Sequence, residues 1–281
     1  MNGMLARTAN ALAAALLVTS FVVIAGFGAG TAPSHAQESQ ELAKQLANPV
    51  ANLMSFPLQI NYDEGFGPDG HGQRLLTNIQ PVIPIEISED WLVISRTILP
   101  VVWQDDVVPG EGSQFGLGDT VQSLFFSPKE PGPFGLIWGV GPVLYVPTAT
   151  EDTLGAEKWG AGPTAVALRQ QGPWTYGLLA NHIWSFAGED NRSDVNATFL
   201  QPFLNYTFPS ATTIFLNTET TYDWTAEEAS VPINFGVNQL FTIGGQAFQI
   251  GAGLRYWADA PDGGPDDIGF RINLVALFPV K

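Results

Sequence analysis

The sequence predicts an all-β chain: an antiparallel transmembrane β-barrel of about twelve strands with a short N-terminal helical segment. Three observations predict it. Segments alternate apolar and polar residues with period two along nearly the whole chain, as strands with two chemically different faces do. Hydrophobic residues make up 45% of the sequence and charged ones only 14%, against about 25% charge in a soluble domain. The connections between segments alternate in order between long and short, as they do in outer-membrane barrels.

The N-terminus comes first. Arg7 gives a positive start, Ala9 to Ala29 is an apolar run, and Ser34-His35-Ala36 is a small-x-small cleavage site before Gln37. This is the pattern of a secretory signal peptide over 1–36, with removal favoured over retention as an anchor. After it, 37–53 is expected as a helical or plug segment, with a short helix ending near Asn48 because Pro49 cannot continue it. It either enters the barrel or lies as a periplasmic strap. The barrel proper is expected over 54–281.

The twelve strands are read at 54–63, 74–87, 91–104, 118–127, 134–146, 157–169, 174–186, 196–208, 212–224, 231–242, 246–258 and 267–278. Most reach the ~9–11 residues that cross a bilayer at a tilt. In 246–258, Phe248, Ile250, Ala252, Leu254 and Tyr256 oppose Gln249, Gly251, Gly253 and Arg255. In the last strand Ile268, Phe270, Ile272 and Leu274 oppose Gly269, Arg271 and Asn273. One face suits lipid and the other a hydrated interior. A soluble β-sandwich alternates too, and the connections discriminate. Long ones are 64–73, 105–117, 147–156, 187–195, 225–230 and 259–266; short ones lie near residues 89, 130, 172, 210 and 244.

Most of the 27 acidic residues fall in or beside the long connections. Trp91, Trp103, Trp159, Trp174, Trp184 and Trp224 lie near strand ends, as an aromatic girdle requires. Trp257 also lies near an end, but parity turns it inward; Trp138 reads as deeper. Prolines 57, 81, 84, 100, 142, 163 and 202 fall inside strands and are expected to need bulges.

With no cysteine, disulfides are excluded, and a closed ladder of hydrogen bonds supplies stability instead. A net charge of −16 without a basic patch argues against nucleic acid as a partner. No zinc-spaced cluster, Walker motif or nucleophile elbow is present, so neither metal nor cofactor is expected. The expected partners are outer-membrane lipids, lipopolysaccharide and a small-molecule solute, with divalent cations at the acidic loops as a further option.

The candidate functional residues are interior-facing and ionisable: Asp63, Glu86, Arg96, Glu219, Asp223, Arg255 and Arg271. A charge inside a membrane span needs water or a partner. Such a set forms either a selective constriction or an ion-pair network bracing the wall. His182 is two residues from Trp184 on the apolar face, while Ser185 falls on the opposite face, so a lipid-hydrolysing His–Ser pair is not expected.

Leu42 to Leu53, Pro57-Leu58-Gln59 and Asn61-Tyr62-Asp63 resemble the start of a family of exported bacterial proteins. Gly116-Leu117-Gly118-Asp119-Thr120, Gly139-Val140-Gly141-Pro142 and Pro147-Thr148 resemble it too. That family carries the labels of transporter and of "MetA-pathway of phenol degradation". The resemblance implies an outer-membrane barrel related to uptake channels for hydrophobic compounds, whose N-terminal hatch also holds an Asn-Pro pair. One departure is the end, where Pro279-Val280-Lys281 follows Phe278 instead of a closing aromatic. The expected function is a channel or transporter for small, aromatic or hydrophobic solutes. The alternatives are a non-conducting structural barrel and an outer-membrane lipid-modifying enzyme.

Overall fold

A computed structural model describes residues 33–278. The signal segment lies largely outside the described residues, as do Pro279, Val280 and Lys281. From Glu38 onward the chain is one compact unit.

The strand segments are β1 (Met54–Phe66), β2 (Gly72–Ile79), β3 (Val82–Glu86), β4 (Trp91–Asp105), β5 (Gln114–Leu117), β6 (Thr120–Pro128), β7 (Leu136–Val146), β8 (Lys158–Gln171), β9 (Trp174–Gly188), β10 (Asn196–Thr207), β11 (Thr212–Thr218), β12 (Thr220–Asp223), β13 (Glu228–Ile243), β14 (Gln246–Asp259) and β15 (Asp266–Phe278). Three pairs, β2–β3, β5–β6 and β11–β12, are interrupted single strands, so the wall has twelve staves. Each stave pairs antiparallel with the next, and β15 pairs with β1 in register from Met54 opposite Phe278 to Tyr62 opposite Phe270. That last pairing closes the cylinder, and closure leaves no open edge.

The interruptions have local causes. β2 ends before Gln80-Pro81, where proline has no N–H to give; the Pro81 carbonyl still accepts from Thr97 N at 3.1 Å. β11 and β12 part at Glu219, a residue with a further role below. The other prolines do not behave as expected. Register runs without a shift past Pro57, Pro84 and Pro202, and Pro142 sits directly opposite Pro163. Shifts occur instead beside Tyr62 and Glu64, between Trp159 and Gly160, and at Pro232. Each of these prolines withholds one N–H from a neighbouring strand, but a single missing bond leaves the flanking pairs in register, so no bulge is required.

The outer face is apolar. Ile83, Leu144, Leu178, Leu204, Leu216, Leu254 and Ile272 are all exposed, in a band no water-soluble protein would leave uncovered. Indoles sit at its two borders. Trp159, Trp184 and Trp224 are exposed near the ends that carry the acidic connections, and Trp91 and Trp174 at the opposite ends. Trp138 joins the latter border rather than lying deep: it meets Trp91 edge to face at 5.9 Å.

The two ends differ less in loop length than expected. At the acidic end several strands extend beyond their sequence-read limits, leaving connections of only 67–71 and 224–227, while at the other end β7 starts later than read and leaves a connection of 129–135. The shortest are the two-residue turns Gly172-Pro173 and Gly244-Gly245; in the latter φ is 59° and 85°, the conformation that a two-residue hairpin demands and glycine supplies.

The interior corrects a further expectation. Its face is not hydrated throughout. Toward the short-turn end it is apolar: Leu92, Ile94, Phe125, Val166, Leu168 and Leu179 form one cluster, and Leu240, Ala247, Val275 and Leu277 form another. The N-terminal segment fills this end. A helix, α1 (Pro33–Leu46), is built from Ala, Gln, Glu and Leu, which favour helix. Ala43 and Leu53 pack into the second cluster, with Leu42, Leu46 and Ala51 against it, while Val50 enters the first. One amide from each side ties α1 to the wall: Gln170 Nε2 of β8 donates to the Lys44 carbonyl at 2.7 Å, and Gln40 Nε2 of α1 donates to the Thr207 carbonyl at 3.4 Å. Asn48 Oδ1 accepts from Val50 N at 3.0 Å, turning the chain before Pro49.

Candidate functional site

Above the apolar floor, a belt of charge crosses the lumen. Its centre is Glu219. A residue in a regular strand projects perpendicular to the wall, but Glu219 occupies the gap between β11 and β12. From there its carboxylate reaches side chains of β14, β15 and β1. Arg271 forks onto it, with Nη1 to Oε1 at 3.0 Å and Nη2 to Oε2 at 2.6 Å. Two parallel charge-assisted bonds of this kind fix both distance and orientation. Arg255 Nη1 donates to the same Oε2 at 3.0 Å, and Gln59 Nε2 donates to Oε1 at 3.4 Å.

The belt continues toward the acidic end. Arg255 Nε lies 3.3 Å from Asp63 Oδ1, and Trp257 Nε1 donates to that oxygen at 2.8 Å. The Arg255 guanidinium also stacks 4.6 Å above the Trp257 ring. This explains why Trp257 faces inward: its indole is a hydrogen-bond donor in the lumen, not a girdle anchor. Gly269 leaves the space that Asp63 occupies, since a Cβ there would strike Oδ1 and the Tyr62 carbonyl. Arg271 Nε donates to Asn61 Oδ1 at 2.7 Å, and Arg271 is only 1% exposed.

Of the seven sequence-derived candidates, four meet here: Asp63, Glu219, Arg255 and Arg271. Arg96 joins through two intervening carboxamides. Its Nη2 donates to Gln80 Oε1 at 3.0 Å, Gln80 Nε2 donates to Gln59 Oε1 at 3.3 Å, and Gln59 reaches Glu219. Two candidates stand apart. Glu86 is exposed and pairs with Lys129 at 3.2 Å beside a short turn. Asp223 Oδ1 accepts from the backbone N–H of Thr225 at 2.8 Å and of Ala226 at 3.2 Å, capping its own loop. Both have interior parity but sit at the rims, where the lumen meets solvent.

Sequence reasoning missed Arg74, which is paired across strands with Asp63. Arg74 Nε donates to Gln104 Oε1 at 3.1 Å, and its guanidinium lies 4.4 Å over the Phe66 ring. Its parity with Asn78 was the available signal. The carboxamides were missed as well. Asn234 Nδ2 donates to Asn217 Oδ1 at 2.9 Å, and Asn273 Nδ2 donates to Asn238 Oδ1 at 3.2 Å.

Between the belt and α1 lies a cavity of about 230 Å³. Arg96 and Arg271 look into it from above, and Ala43, Leu46 and Leu53 form its floor. Carboxamides such as Gln80, Asn217 and Asn273 line its sides, with Phe203 and Phe215 on one wall.

Outside the lumen, charge of the opposite sign collects at the loops. Arg192 there donates to the carbonyls of Asp152 and Gly155. A hydrogen bond from Lys158, helped by one from Ser185, holds the Asp194 carboxyl below the usual carboxylate range. Among the described residues, no group of three or more His, Asp or Glu side chains converges to hold a metal. His182 Nδ1 is 2.7 Å from Thr198 Oγ1, and its ring packs against Trp184 at 4.0 Å, whereas Ser185 turns to Asp194.

A closed cylinder with a lipid-compatible outside and a charged, amide-lined inside defines an outer-membrane β-barrel. Comparison with solved structures agrees on the fold. The chain is similar to an outer-membrane channel from Pseudomonas putida F1, with a TM-score of 0.63 and 13% identity over 81% of this chain and 96% of that one. Weaker likenesses are outer-membrane phospholipase A from Escherichia coli (TM-score 0.48, 9% identity, 79% of this chain and 90% of that one) and the β domain of the Bordetella autotransporter BrkA (TM-score 0.46, 10% identity, 81% and 100%). At such identities the likeness concerns architecture alone. No family model matches the chain, and no curated protein matches it.

Proposed function

We propose that this barrel is an outer-membrane channel for small solutes, with residues 37–53 as a plug at its periplasmic end. One observation carries the reading: a polar chamber beneath a charged belt, inside a closed wall. A barrel whose only task is structural has no need of a hollow lined by guanidinium groups and carboxamides, because apolar filling would stabilise it better. Phe203 and Phe215 beside the amides suit solutes that carry an aromatic or apolar body as well as a polar group. The acidic loops would meet lipopolysaccharide phosphates through shared divalent cations.

The non-conducting reading draws on the same plug, since α1 and the belt together narrow the path. Planar-bilayer recording of the refolded mature chain separates the two. The channel reading expects discrete, ohmic steps of small conductance. Silent insertion, with the fold verified by heat-modifiable gel migration, would favour a structural barrel.

A further inference from the structure

We propose that the chamber under the belt binds a small organic anion, a monocarboxylate with a short apolar body, and that Arg96 is its charge partner. The inference deepens the channel reading and rests on it for the transport step.

The charge balance of the belt is the starting point. Arg74, Arg96, Arg255 and Arg271 face Asp63 and Glu219. Four guanidinium groups stand against two carboxylates, so two positive charges are in excess within a chain whose net charge is −16. The carboxylates are already committed. Glu219 receives both nitrogens of the Arg271 fork and one of Arg255, while Asp63 takes Arg255 and the Trp257 N–H. The two cations without an ion pair of their own among the described residues differ. Arg74 lies over Phe66 and binds Gln104 near the acidic loops. Arg96 faces the chamber.

Arg96 is the better anion partner because its donors are unspent. A guanidinium carries five N–H donors in a planar fork matched to a carboxylate. Among the described residues, its hydrogen bond is to the neutral Gln80 carbonyl oxygen, at 3.0 Å. The anion would complete what Glu219 does for Arg271: a second bidentate pair, a few side chains away. The chamber supplies the rest of the selection. Its volume of about 230 Å³ admits a solute of roughly benzoate size. Gln80, Asn217 and Asn273 can donate to a carboxylate oxygen from their N–H₂ groups, and Phe203 and Phe215 can cover an apolar ring. The acidic loops do not work against this. Along β4, nine residues separate Arg96 from Asp105 at the loop end, roughly 30 Å at the rise of a strand; that exceeds a Debye length of roughly 8 Å, so mobile ions screen the loops, while a charge in the confined lumen is screened less.

The test uses the full mature chain in micelles, titrated by calorimetry with sodium benzoate and, separately, with its neutral isostere benzamide. Benzoate is expected to bind at least about tenfold tighter than benzamide, as one charge-assisted pair supplies. Arg96→Met should abolish that preference, and Arg96→Lys should retain part of it; both variants are checked for heat-modifiable folding. In bilayers under a KCl gradient, the reversal potential should show anion preference in the native chain and lose it in Arg96→Met. Equal binding of the two probes, or an unchanged preference in Arg96→Met, would overturn the site. Benzoate binding without any conductance keeps the site and removes the channel reading. Conductance without benzoate preference does the opposite.

Discussion

Glu219→Ala is expected to destabilise the barrel by about 3 kcal/mol, since removing one member of a buried ion pair leaves its partners uncompensated. Glu219 is the only carboxylate that Arg271 contacts among the described residues, and it is shared with Arg255. Without it, two guanidinium groups face each other across a narrow lumen, with Arg271 nearly sealed from solvent. Water in the chamber can hydrate part of that charge, which keeps the loss near the lower end of the usual range. Glu219→Gln should recover packing and some hydrogen bonding but not the charge, and should fall between the two. Urea unfolding in phospholipid vesicles measures both. A loss under about 1 kcal/mol, typical of an exposed pair, would mean that the belt is solvated and braces nothing.

The second large effect concerns the plug. A chain beginning at Met54 should conduct several-fold better than the native one. The deleted residues cover both apolar interior clusters and form the floor of the chamber. Their removal joins the chamber to the short-turn end. The same deletion should lower stability, because Val50, Ala43 and their neighbours no longer shield Leu92, Phe125, Val275 and Leu277 from water. Bilayer recording reads the first effect and urea unfolding the second. Unchanged conductance would place the resistance in the belt rather than in the N-terminal segment.

Much of this was legible in the residues. Period-two alternation placed all twelve staves, because a strand half in lipid and half in a wet lumen must alternate. It also placed Asp63, Glu219, Arg255 and Arg271 on the inside. It did not show that Glu219 reaches across the lumen. That depends on a break in the ladder at one residue, which parity does not reveal. Parity gave Glu86 and Asp223 the same standing as Arg271, though their height puts them at the rims. Val275 and Leu277 are apolar on the inward face; the reason is the segment they pack against. A wall whose interior floor is covered by its own N-terminus shows two apolar faces there, and pattern alone assigns the wet one wrongly. Alternation put carboxamides such as Gln249 and Asn273 on the inner face, but they did not stand out as candidates because Asn and Gln carry no charge to flag them, although they form a large part of the chamber's lining.

The central claim is that the outward rows meet acyl chains and that the inward rows, at the height of the belt and chamber, meet water. The sequence contains no cysteine, so single substitutions report cleanly. Asn273→Cys and Leu274→Cys are neighbours on β15, one inside and one outside. In vesicles, a small charged thiol reagent should label Asn273→Cys and leave Leu274→Cys unreacted, while a lipid-partitioning maleimide should do the reverse. The opposite pattern, with position 274 reached from water and position 273 shielded, would contradict the account.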